Sequence, residues 1–178
     1  KGYGKYVDAN NNQLCSQCNT SCDDCEYVGN STINNCTKCT GNTFLQKYSE
    51  DINEGECVES CNEGYGKTLD TDNNQICSQC NSNCADCEYV GNSTNQNCTK
   101  CISDNYFLKY NETNYDGDCY ASCPEGYMNF TDSEQDDRLI CKSCYGSCST
   151  CVDGGDESNH KCTSCKSGVV LILSSDNS

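Results

Sequence analysis

The sequence predicts a small disulfide-rich fold: tandem repeats of short irregular β-hairpins stacked into an elongated rod, with little or no helix. Three observations carry this expectation. The 178 residues include 22 cysteines. Leu, Ile, Val and Phe together supply only 23 residues, about 13%, below the roughly 20% under which a strongly charged chain is expected to be disordered. One cysteine pattern also recurs: Cys77, Cys80, Cys84, Cys87, Cys98 and Cys101 repeat the spacing of Cys15, Cys18, Cys22, Cys25, Cys36 and Cys39, and it returns at Cys141, Cys144, Cys148, Cys151, Cys162 and Cys165. Self-similarity at a fixed period defines architecture before any local motif is weighed.

Ordering a backbone costs roughly 1–2 kcal/mol per residue, and so few large apolar side chains cannot offset that alone. Cross-links that restrict the unfolded chain substitute for a core in small domains. Disulfides in this number persist only in an oxidising compartment, so the chain is expected to be extracellular or on the cell surface. Zinc is the competing explanation, because nine Cys-x-x-Cys pairs occur and two such knuckles make a four-cysteine site. Against it, His160 is the single histidine, the net charge is −16, and Cys57-x3-Cys61 and Cys119-x3-Cys123 fall outside any four-ligand set. Neither a metal nor a cofactor is expected.

An acidic chain lacks the basic stripe that neutralises phosphates, which excludes nucleic acid as a partner, and it is repelled by anionic lipid. The longest apolar run, Val169 to Leu173, is far short of the roughly 20 residues a helix needs to span a bilayer. No direct membrane insertion is expected in this segment. The sequence opens at Lys1 without a positive-then-apolar leader, and is expected to be a processed product or a piece of a longer chain.

The repeats open at Gly2-Tyr3, Gly64-Tyr65 and Gly126-Tyr127, a period of 62. They divide the chain into 1–63, 64–125 and 126–178, the last incomplete at its C-terminal end. Glu26-Tyr27-Val28-Gly29-Asn30-Ser31-Thr32 returns unchanged as Glu88 to Thr94, whereas the third copy has Val152-Asp153-Gly154-Gly155 there. Early in the first two copies, Asp8-Ala-Asn10-Asn11-Asn12 and Asp70-Thr-Asp72-Asn73-Asn74-Gln75 hint at a calcium loop. They lack its glycine at position six and glutamate at twelve, and are read as solvated turns between modules. Phe44-Leu45, Tyr106-Phe107-Leu108 and Val169 to Leu173 are short apolar runs bounded by turn residues, and read as strands. Their partners are placed around Cys57 and Cys119, across polar links at 49–55 and 111–117. One irregular hairpin per half-repeat is expected, and no segment shows a helical period.

The spacing Cys77-x2-Cys80-x3-Cys84-x2-Cys87, Cys98-x2-Cys101, the Tyr106-Phe107-Leu108 strand and Cys119-x3-Cys123-Pro124-Glu125-Gly126-Tyr127 resemble the furin-like cysteine-rich repeats of growth-factor-receptor ectodomains and R-spondins. The resemblance spans the whole chain, in a composition that resembles the expanded repeat arrays of ciliates and other protists. It implies the pairs Cys18–Cys25, Cys22–Cys36, Cys39–Cys57, Cys61–Cys77, Cys80–Cys87, Cys84–Cys98, Cys101–Cys119, Cys123–Cys141, Cys144–Cys151 and Cys148–Cys162. Spacing by itself leaves many connectivities open. Under the implied pairing, Cys15 and Cys165 have no partner within the chain. The expectation is that the parent polypeptide continues in both directions or that these two cysteines join neighbouring chains.

N-glycosylation sequons stand at Asn19, Asn30, Asn35, Asn92, Asn97, Asn111 and Asn129. Several are expected to carry N-linked glycan, Asn35 and Asn97 less readily because a cysteine follows each. Tyr3, Tyr27, Tyr48, Tyr65, Tyr89, Tyr110 and Tyr127 must cover disulfides, stack on sugars or pack against another chain. His160 lies in a polar loop with no nucleophile or orienting acid at a recognisable spacing, and reads as exposed and inert. The carboxylates are too scattered to nominate an acid–base couple. The functional expectation is a non-enzymatic extracellular structural protein: part of a glycosylated coat, appendage or filament whose partners are copies of itself or neighbouring repeats. The alternative is a ligand-binding or spacer region of a receptor-like ectodomain.

Overall fold

The computed structural model describes residues 2–30, 33–49, 51–111, 113, 115–133 and 138–170. These residues form sixteen strands of four to six residues and no helix. In chain order they are β1 (Tyr3–Val7), β2 (Gln13–Gln17), β3 (Cys22–Cys25), β4 (Cys36–Cys39), β5 (Phe44–Lys47), β6 (Gly55–Val58), β7 (Tyr65–Leu69), β8 (Gln75–Gln79), β9 (Cys84–Cys87), β10 (Cys98–Cys101), β11 (Tyr106–Lys109), β12 (Gly117–Tyr120), β13 (Tyr127–Asp132), β14 (Arg138–Ser143), β15 (Cys148–Cys151) and β16 (Cys162–Cys165). Two compact units contain them, Lys1–Thr99 and Lys100–Ser178.

In the first unit, β1 and β2 form a two-stranded sheet, and six strands run in the order β3-β4-β6-β5-β8-β7. The partner expected near Cys57 is β6, which places Leu45 opposite Cys57. In the second unit β12 serves β11 in the same way, with Phe107 opposite Cys119. In each unit one parallel contact joins successive repeats, Leu45 to Ile76 and Phe107 to Ile140.

A 62-residue period carries three hairpins, not one per half-repeat. The additional ones are β1–β2, β7–β8 and β13–β14, whose first strands start at the repeated Gly-Tyr. The loops at Asp8 and Asp70 are therefore turns inside hairpins and not links between modules. The cause is local. The Asp8 carboxylate accepts the backbone N–H groups of Asn10 and Asn12, both at 2.9 Å, and Asn11 takes a left-handed φ of 62°. Asp70 does the same for Asp72 and Asn74, with Asn73 at 59°. Asx residues close tight turns in this way. At the C-terminal end, Val169 and Val170 lie in no strand, and the rest of that expected strand, Leu171 to Leu173, lies outside the described residues.

Sulfur replaces hydrocarbon in the interior. Among the described residues the buried apolar side chains are ten cysteines, Leu45 and Phe107. Leu45, 3% exposed, packs with Cys18, Cys22, Cys25 and Cys36, and Ile76 leans against that cluster. Truncating it removes the aliphatic centre of the first unit. Leu45→Ala is expected to lower stability by about 2–5 kcal/mol, read as a shift of the denaturant midpoint under non-reducing conditions.

Candidate functional site

The bridges and the side chains laid over them are the chemistry this fold positions. The four-residue strands β3 and β9 begin and end on buried cysteines, and a short ladder with an irregular register joins β3 to β4. The structure joins Cys18–Cys25, Cys22–Cys36, Cys39–Cys57, Cys61–Cys77, Cys80–Cys87 and Cys84–Cys98 in the first unit. In the second it joins Cys101–Cys119, Cys123–Cys141, Cys144–Cys151 and Cys148–Cys162. Cys15 and Cys165 form no bridge within the chain, Cys15 lying on the exposed strand β2 and Cys165 half-buried on β16. Among the described residues no group of three or more His, Cys, Asp and Glu side chains could hold a metal ion.

A repeated cation–carboxylate–aromatic set sits beside the Cys18–Cys25 and Cys80–Cys87 bridges. Gly4 and Gly66 let the hairpin run directly against this sulfur: a Cβ on either would lie 2.6 Å from Cys25 Sγ or Cys87 Sγ. That close approach allows Lys5 N–H to donate to the Glu26 carbonyl at 2.8 Å, with Val28 N–H donating back to Lys5 at 2.9 Å. Lys67, Glu88 and Val90 repeat the pattern at 2.8 and 3.1 Å. The side chains follow the backbone. Lys5 Nζ stands 3.1 Å from Glu26 and 5.2 Å from the Tyr27 ring centre. Lys67 Nζ stands 3.6 Å from Glu88, 5.8 Å from the Tyr89 ring and 5.5 Å from the Phe44 ring of the preceding repeat. The Glu26 carboxylate, through its hydrogen bond, holds the Lys5 ammonium above its ordinary pKa, and Tyr27 adds to this. Sequence reasoning missed both lysines, although their shared place two residues after Gly-Tyr was a visible signal.

Tyrosines occupy several settings. Tyr3, Tyr27, Tyr48, Tyr89, Tyr110 and Tyr127 are exposed, and Tyr65 is half-buried. The Tyr48 hydroxyl accepts the N–H groups of Asn34 and Asn35 at 3.1 and 3.4 Å. Tyr110 and Tyr120 both donate to the buried Asp118 carboxylate, at 2.6 and 3.1 Å. Burial, with Asp118 adding to it, raises the Tyr120 pKa.

His160 is half-buried, which corrects the expectation of an exposed residue. Its ring stacks on Tyr145 at 3.9 Å, and Nδ1 lies 2.9 Å from Ser147 Oγ. The Cys148–Cys162 bridge folds the intervening loop back over β15, so a residue two positions before Cys162 lands on one three positions before Cys148.

Asp8 and Asp70 bind their own turns, and their pKa values fall below the usual carboxylate range, chiefly through the side-chain amides of Asn12 and Asn74. Asp156 is lowered likewise, chiefly by the Ser158 hydroxyl. A carboxyl whose folded pKa is depressed stabilises the fold fully above its unfolded value, near 3.9, and loses that contribution as pH falls through the folded value. Acidification below about pH 4 is therefore expected to loosen these three turns first. Amide chemical shifts of Asn12, Asn74 and Asn159 followed through an acid titration would check it.

Of the sequon asparagines, Asn30, Asn92, Asn111 and Asn129 are exposed, and Asn19, Asn35 and Asn97 are half-buried. In the second unit, a groove of about 610 Å³ is lined in part by Phe107, Tyr110, Tyr127, Arg138 and Lys142, with the Arg138 guanidinium 4.6 Å from the Phe107 ring centre.

No family model matches the chain. It is 34% identical to Cysteine repeat modular protein 2 of Tetrahymena thermophila over 172 residues, which is 94% of this chain and 8% of that protein. It is 31% identical to the human Extracellular matrix organizing protein FRAS1 over 157 residues, 88% of this chain and 3% of that protein. Mouse R-spondin-1 is 30% identical over 123 residues, 67% of this chain and 38% of that protein. The chain thus spans less than a tenth of the first two. No helix among the described residues is long and apolar enough to cross a membrane. Ten bridges and relatives of this kind place the chain outside the cell or at its surface.

Proposed function

We propose that this chain, a tandem array of furin-like cysteine-rich repeats, is a non-enzymatic segment of a glycosylated surface coat, appendage or filament built by repeat–repeat association. The observation that supports this most is the set Lys5–Glu26–Tyr27 returning one period later as Lys67–Glu88–Tyr89, in which Glu88 and Tyr89 stay exposed and Lys67 is half-buried. A surface that recurs at a fixed interval offers each partner the same contact again and again. The partners in this reading are copies of the chain, neighbouring repeats of the same polypeptide, and N-linked glycans. Residues 1–63, 64–125 and 126–178 act as its three units. Cys15 and Cys165 are points of covalent connection to a further half-repeat or a neighbouring chain. A non-reducing peptide map of native material is expected to find both in disulfides, and stable free thiols there would remove this part of the reading.

Negative-stain images of the native material test the whole. Regular fibres or a lattice with a repeat-related spacing are expected. Dispersed single particles that stay monomeric by light scattering would overturn the reading. They would favour a ligand-binding or spacer region of a receptor-like ectodomain instead, for which the groove over Phe107 and Arg138 is the specific support.

A further inference from the structure

In every repeat one residue, five positions after the fourth cysteine of the pattern, makes the same pair of hydrogen bonds to the residue three positions on. That residue is Asn30, Asn92 or Asp156. Its backbone N–H donates to the carbonyl three residues on, in Ile33, Asn95 or Asn159, at 2.7, 2.7 and 3.0 Å. Its side-chain Oδ1 accepts the N–H of that same residue at 2.9, 2.9 and 2.8 Å. Asp156 builds this turn with a carboxylate, which has no amide. The fold requires an acceptor at this position, and an amide nitrogen is not needed to form the turn.

In the first two copies the residue is asparagine, and a threonine stands two positions later, Thr32 or Thr94. Asn92, Ser93 and Thr94 are all exposed. Three other sequons are placed differently. Asn19 uses Nδ2 to donate to Asn34 Oδ1 at 2.9 Å. Asn35 and Asn97 are half-buried at left-handed φ of 51° and 56°, directly before Cys36 and Cys98, whose exposure is 0%. A branched sugar at either would have to share space with the bridge.

We infer that Asn30 and Asn92 are N-glycosylated, one glycan at the same turn of each of the first two repeats, and that Asn19, Asn35 and Asn97 are not. The transfer uses a lipid-linked oligosaccharide diphosphate as donor. The Nδ2–C1 bond forms at the anomeric carbon, the C1–O bond to the diphosphate breaks, the lipid diphosphate leaves with the electron pair, and one amide proton passes to solvent. The turn survives the modification because Asp156 makes the same two contacts with a side chain that has no amide nitrogen. Asn111 and Asn129 have no asparagine counterpart in another repeat, and they act as independent sites in the assay. The inference rests on an oxidising secretory route and not on filament formation, so its failure leaves the imaging result untouched.

The chain is secreted from a eukaryotic host, and glycans are removed enzymatically in heavy-oxygen water, so that each formerly occupied asparagine becomes a labelled aspartate in the peptide map. Label is expected at positions 30 and 92 in most molecules and absent at 19, 35 and 97. Two variants accompany it. Thr94→Ala keeps the turn acceptor and destroys the sequon. Asn92→Asp copies the third repeat. Each is expected to be secreted with all ten bridges and with the mass of one glycan lost. Label at 35 or 97 with none at 92, no label at 30 and 92, or scrambled bridges in Asn92→Asp would each overturn the inference.

Discussion

Reducing the ten bridges is expected to unfold both units completely, while a metal chelator leaves them intact. Ten of the twelve buried apolar side chains among the described residues are cysteines. Reduction therefore removes the covalent restraint on the unfolded chain and the packed interior in the same step. Single bridges should grade by the loop they close, in the loop-entropy picture of cross-linking. Cys101–Cys119 closes 18 residues and Cys80–Cys87 closes 7, which correspond to about 3 and about 2 kcal/mol. Paired serine replacements at the two sites, compared by denaturant midpoint, should keep that order. The larger test is whole-protein: far-UV circular dichroism and limited proteolysis under mild thiol treatment. Retention of a protease-resistant fold after verified reduction would remove the basis for reading this chain as sulfur-stabilised.

A large single-residue effect outside cysteine is expected at Gly117. A methyl group there would fall on the carbonyl oxygen of Leu108 and come within 2.9 Å of Lys109 Cα. Both contacts are backbone, fixed by the β11–β12 ladder and by the Cys101–Cys119 bridge two residues away, so no side chain can rotate to relieve them. Gly55 meets Gln46 and Lys47 in the same way in the first unit. Gly117→Ala and Gly55→Ala are each expected to cost about 3 kcal/mol, at the upper end for overpacking, and to lower secretion yield. Gly41 is the control. It has φ +62° with nothing within 4 Å of an added Cβ, so Gly41→Ala should cost only about 1 kcal/mol for its left-handed backbone. Equal losses at Gly41 and Gly117 would mean that conformation, and not the close approach across the hairpin, decides the effect.

How much was legible along the chain varies with the range of the interaction. The strands at Phe44 and Tyr106, and their partners around Cys57 and Cys119, could be placed because apolar runs bounded by Asn, Asp and Gly are local signals. The hairpins opening at Gly2-Tyr3 and Gly64-Tyr65 were passed over, since β1 and β2 are exposed almost throughout and show no alternating hydrophobicity to mark them. Their turns were signalled by Asp8 and Asp70 but were assigned to the space between modules. His160 was judged by its polar neighbours in sequence, whereas its environment is Tyr145 and Ser147, delivered by a bridge.

The amino-acid order alone determined the 62-residue period, the dependence on sulfur and the oxidising compartment, because each follows from counts and spacings along one dimension. Only the folded chain decided which groups share a bridge or a face. Lys67 reaches Glu88, Tyr89 and Phe44, partners 21 to 23 residues away along the chain, because Gly66 lets its strand lie against the Cys80–Cys87 bridge. Hairpin register and the close approach of backbone to sulfur set such meetings, and neither is written in the spacing of the residues themselves.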